Sequence, residues 1–150
     1  MIDLATSLPT ILPAAIAWAE VQSKQVLSVG SSLSAYGMAD ARSVGVASPE
    51  LIRVAIVPAL PLPDDPTLRA IALDTGLLGP GMVGLTLGHA IFVVQGHDTR
   101  RLLTHEYRHV HQYEVAGSIS AFLPAYLHQI ATVGYIDAPF EIDARRHEIN

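Results

Sequence analysis

His105, Glu106 and His109 form the pattern His-Glu-x-x-His within Leu102–Glu114, LLTHEYRHVHQYE, a stretch holding three histidines and two glutamates. On a helix, residues i and i+4 stand one turn apart on the same face, so both imidazoles can reach one metal ion. Glu106 is turned by about 100° from His105. From there a carboxylate can hold an attacking water without itself ligating the metal. This is the residue set of metal-assisted hydrolysis. The competing reading is a polar face on a surface helix.

An open catalytic zinc site takes three protein ligands. The chain has no cysteine, so the third must be histidine or a carboxylate. A histidine six residues beyond His109 would mark a metzincin, but Val115 stands there, and Gln112 replaces the expected glycine. The later carboxylates are Asp137, Glu141, Asp143 and Glu148. Glu141 is favoured: it falls early in a helix that can fold back over the motif across one intervening helix. Asp137 reads more economically as an N-cap. Glu148 falls in a last turn, where helices fray. Asp143 is a candidate to orient a ligand histidine rather than to bind metal. Tyr135, Tyr113 and His111 are candidate donors to an oxyanion. Tyr135 is favoured because it follows a glycine stop and can project toward the site.

These residues need elements to position them. The chain has 150 residues, half of them hydrophobic and 15% charged, which fits one folded domain over residues 1–150. Net charge is −5 and Lys24 is the sole lysine, so no basic surface for nucleic acid or an anionic membrane is expected. The apolar N-terminus lacks a basic n-region and carries Pro9 and Pro13. It reads as the lead-in to a core helix over residues 10–28, too broken for a membrane span, which favours a cytoplasmic location. An apolar segment of this kind, residues 1–15, would also suit a plug that occupies a cleft and keeps it latent.

Residues 39–44 read as a short helix, Glu50–Leu60 as a strand ending at Pro58, and Thr67–Leu78 as a short helix. Met82–Gly96 reads as a second strand. Asp98 is the expected N-cap of the motif helix and Gly117 its stop, with Leu103, Tyr107 and Val110 as its buried face. Two more helices follow. One is capped by Ser118 or Ser120 and closed by Gly134; the other is capped by Asp137. The fold class expected is α+β, with helices on one face of a small sheet.

The segments LLTHEYRHVHQYEVAGSISAFLPAYL and GYIDAPFEIDAR resemble the gluzincin side of the zincin metallopeptidases. The resemblance is nearest to small bacterial minigluzincin-like proteins, whose H-E-x-x-H-x-x-Q-y helix is followed by a P-[YF]-E-x-x-A segment. It covers about the last third of the chain. It implies a minimal zincin-like domain in which a small sheet packs against the active-site helix. It also implies Zn2+ bound by His105, His109 and Glu141, Glu106 as general base, and a peptide or protein substrate. Arg145 departs from the thermolysin-like pattern, which has an aspartate four residues after the ligand glutamate; that leaves the partner that orients the histidines unassigned. A zinc-containing module that binds peptides without cutting them is the alternative on the same scaffold.

Overall fold

A computed structural model describes residues 3–150. Helix α1 (Leu4–Val29) is capped by Asp3, whose carboxylate accepts from the Ala5 amide at 3.1 Å, and it runs unbroken past Pro9 and Pro13. It therefore starts earlier than residue 10. By length and composition alone α1 could cross a membrane, so the expectation of a segment too broken to do so does not hold. Core helices and signal sequences share that property. In this fold Leu4, Ile11, Ala19 and Val26 are buried against the rest of the domain.

Helix α2 (Ala35–Ser43) and a single 3-10 turn at Pro49–Leu51 lead into β1 (Arg53–Val57). Helix α3 is Pro66–Asp74, with Asp65 capping the Leu68 amide and Pro66 in its first turn. The single strand expected over 82–96 is instead a hairpin, β2 (Gly84–Leu87) and β3 (Ala90–Val94). Its two-residue Gly88-His89 turn works because Gly88 takes a left-handed φ of +70°. His89 thus sits in the turn and not in a strand.

The sheet order is β1-β3-β2, with β1 parallel and β2 antiparallel to the central β3. Alternation along β3 sends Ala90 and Phe92 to one face, where they meet Ala19 and Val26 of α1. Ile91 and Val93 go to the other, packing with Ile52, Ala41, Tyr107 and Val110. Helices therefore cover both faces, not one. This is why β3 reads as a continuous apolar run. Burial of Ile91, Val93 and Val110 is complete, each group contributing about 1.5–3 kcal/mol of hydrophobic stabilisation.

Three helices complete the α+β domain: α4 (Arg100–Ala116), α5 (Ile119–Asp137) and α6 (Pro139–Arg146). Thr99, not Asp98, caps α4 by accepting from the Leu102 amide at 3.2 Å, and Gly117 ends it at φ +101°. Ser118 caps α5. Gly134 breaks α5 with φ 83° and ψ 169°, but one more turn, Tyr135–Asp137, follows. Asp137 belongs to that turn; the N-cap of α6 is Ala138, with Pro139 in its first turn.

Candidate metal centre

Helix α4 turns His105, Glu106 and His109 inward, with Tyr107 and Val110 sealing its opposite side against the sheet. The short link from α5 brings α6 back over α4. Glu141, in the first turn of α6, is only 2% exposed although it is charged. Its Oε1 lies 3.2 Å from His105 Nε2 and its Oε2 3.1 Å from His109 Nε2. The three donor atoms lie within 4.8 Å of one another.

The outer nitrogens fix the chemistry of the inner ones. His105 Nδ1 is 2.8 Å from Glu148 Oε2, and a carboxylate can only accept. His109 Nδ1 is 2.8 Å from Gln112 Oε1. The Gln112 amide cannot be turned round, because its Nε2 donates to Phe140 O and to Asp143 Oδ2, both at 2.9 Å. Each Nδ1 therefore carries a proton, so an imidazole in its neutral form presents its Nε2 lone pair to the Glu141 carboxylate. Nitrogen and carboxylate oxygen at 3.1–3.2 Å need positive charge between them, which either a metal ion or a proton on each Nε2 supplies. Ligand atoms bound tetrahedrally at about 2.0–2.1 Å sit about 3.4 Å apart; the two nitrogen–oxygen contacts here, one to each oxygen of Glu141, are 3.2 and 3.1 Å, and the three donor atoms lie within 4.8 Å. The residues fit a metal ion.

Protons answer the same demand. Burial disfavours a charged imidazole, but the Glu141 carboxylate outweighs it; His105 is raised, and His109 is pushed up to about 9. Burial also opposes charge on Glu141, yet its hydrogen bonds to both histidines hold it well below the usual carboxylate range. A folded pKa above the ordinary 6.5 means stability present below pH 6.5 and lost as pH rises through about 9. The metal-stripped protein is thus expected to lose melting temperature between those pH values. Bound metal displaces these protons, so the metal-loaded form should not follow that decline; parallel thermal denaturation of the two forms checks this.

The supports of the centre are mostly residues that sequence reasoning missed. Glu148 does not fray. It bridges His105 and Arg101, whose guanidinium Nε lies 2.7 Å from Oε1. It supplies the orienting carboxylate that Arg145 cannot. Asp143 reaches His109 only through Gln112, and it is held in turn by Nε and Nη2 of Arg108. Tyr126 donates to Glu141 Oε2 at 2.8 Å. It is aimed there by a stack of rings in which Phe122 lies 5.5 Å from Tyr126 and 4.9 Å from Phe140.

Glu106 stands beside the three candidate ligands and outside their set. Thr86 Oγ1 on β2 donates to its Oε1 at 2.8 Å. Its other oxygen, Oε2, packs over Gly84, where a Cβ would come within 2.9 Å. Only glycine leaves the carboxylate in place. Gly84→Ala is expected to keep the fold, since the atom displaced is the end of a flexible side chain. It should cost about a hundredfold in any reaction that depends on Glu106, measured as kcat/KM beside an unchanged melting curve.

Of the three oxyanion candidates, His111 faces away and approaches Gly45 O at 2.9 Å. Tyr113 is buried and stacked on Phe122 at 3.9 Å. Tyr135 is half-buried and, like Tyr113, lines the cavity that holds Glu106, His109 and Glu141. Burial and the neighbouring Glu141 carboxylate push its phenol upward, so it stays a proton donor. The same cavity answers the expectation of an N-terminal plug. Ile11, Ala15, Trp18 and Ala19 of α1 form its wall, and residues 1–2 lie outside the described part. Among the remaining histidines, His89 pairs with Glu114 at 3.0 Å and His147 with the Asp143 carbonyl at 2.7 Å, both away from the three ligands.

Comparison of the chain with protein-family models, with curated proteins and with solved structures finds no match.

Proposed function

We propose that this protein is a zinc-dependent peptidase of minimal gluzincin type. The observation that carries the reading is the convergence of His105 Nε2, His109 Nε2 and a buried Glu141 carboxylate, with Glu106 free beside them. Two imidazoles and one carboxylate, with room for a fourth position, are the donor set of catalytic zinc. Zinc held there would polarise a scissile carbonyl and make water a nucleophile near neutral pH.

The chain's own residues do the rest. Glu106 takes the proton of the attacking water and returns it to the leaving amine. Thr86 ties down one of its oxygens, so the other is the one that moves the proton. Tyr135 donates to the oxygen that gains negative charge. Glu148 and Gln112 hold the histidines in the tautomer that leaves Nε2 free to ligate. Strand β2 is a sheet edge carrying both Gly84 and Thr86, and an extended peptide could pair along it. The substrate class is therefore a peptide or protein.

A mixed peptide library incubated with the protein and analysed by mass spectrometry tests this. Cleavage that a chelator abolishes and added zinc restores is the expected result. Retained zinc without cleavage of any peptide would favour a binding module instead.

A further inference from the structure

A second cavity lies on the far side of α4 from the metal centre, between α2, β1 and the first two turns of α4. Its volume is about 590 Å³, within the range of about 300–1,000 Å³ that small-molecule sites occupy. It shares no lining residue with the cavity of Glu106 and His109. Leu33, Val54, Ile56 and Leu103 give it an apolar wall, and Ile56 is left 50% exposed there. Tyr107 lines it too and is only 2% exposed, yet its hydroxyl makes no hydrogen bond to any described residue. Among the described residues no unpartnered polar side-chain atom is sealed inside the protein. The Tyr107 oxygen therefore opens into the cavity, beside Gly37, where a Cβ would stand 3.4 Å from it.

We propose that this cavity binds a small uncharged molecule with an apolar body and a carbonyl oxygen that accepts from the Tyr107 hydroxyl. The inference does not depend on the metal-site reading. A buried polar group is ordinarily paired within the fold, and a carbonyl supplies the partner this hydroxyl lacks. Burial and the nearby Asp40 charge push the phenol up to about 12, so at neutral pH it keeps its proton and donates. The cavity offers a ligand little free charge. Arg100 Nε and Nη2 each donate to the Asp40 carboxylate at 2.9 Å, and Nη1 donates to Asn150 O at 3.1 Å. Asp98 is exposed. A charged group carried in to Tyr107 would lose its hydration without a counter-charge to replace it.

The test is titration of the isotope-labelled protein with acetophenone, and in parallel with α-methylstyrene, followed by amide correlation spectra. The two molecules have nearly one shape, with a CH2 group in the second where the first has its carbonyl oxygen. The parent protein should show saturable acetophenone shifts at Ser34, Gly37 and Leu103. Loss of one hydrogen bond in Tyr107→Phe should weaken acetophenone by about three- to tenfold and leave α-methylstyrene unchanged. The melting temperature of that variant should match the parent's, because the hydroxyl holds no other residue. Acetophenone shifts confined to Leu87 and Leu127, in the wall of the metal-side cavity, or no saturable shift at all, would overturn the inference on the parent protein alone. An acetophenone affinity that survives Tyr107→Phe would overturn the role of the hydroxyl. Benzoate binding here more tightly than acetophenone would overturn the uncharged class.

Discussion

Glu106→Gln is expected to lower kcat/KM for peptide hydrolysis by about 10²–10⁴-fold, the range of a lost general base. Glutamine keeps the shape of the side chain and can still accept from Thr86 Oγ1, which now stands 2.8 Å from Glu106 Oε1. It cannot take a proton at pH 7. Glu106 is not among the three grouped donors, so bound metal should be unchanged. Those two results together separate a base from a ligand. Metal lost alongside activity would make Glu106 part of the coordination instead. Activity retained at the parent level would remove it from the reaction altogether.

The second large effect is expected at Glu141. Glu141→Gln keeps volume and a hydrogen-bonding partner for Tyr126, but removes the charge that faces both histidines. Loss of a residue that merely orients a ligand costs about 10–100-fold in metal affinity; loss of a ligand should cost more. At a metal concentration about 100 times Kd, binding stabilises the native state by about 2.7 kcal/mol. That increment should vanish in the variant. Thermal denaturation with and without zinc measures it directly. A zinc-dependent rise equal to that of the parent protein would show that Glu141 is an ion-pair partner of the histidines and nothing more.

The two histidines and Glu106 were legible because a helix converts a spacing of four into one shared face. Glu141 was legible through element order: a motif helix, an intervening helix and a short link are enough to return α6 to α4. The same reasoning failed where the partner is set by three-dimensional packing. Glu148 lies past the end of α6, and no local period marks it as the partner of His105. Tyr126 is aimed at Glu141 by rings from α5 and α6 stacked across the core, a relation absent from any one segment. The Gly88-His89 turn was hidden inside a run of apolar residues on both sides, because a strand buried on both faces loses its alternation. Gln112 was visible as part of the motif, but its role depends on the Phe140 carbonyl and Asp143 fixing its amide. The first 80 residues carried helix and strand signals but no chemistry. Their part is to wall the cavity, a matter of shape that spacing does not encode.

The central claim is that His105, His109 and Glu141 hold a zinc ion. It is tested most directly by elemental mass spectrometry of the protein purified without chelator. The account predicts about one zinc per chain, as for a three-ligand catalytic site. Substoichiometric metal that added zinc does not restore would contradict it, and the cluster would then be a buried, proton-bridged ion-pair network that ties α6 to α4.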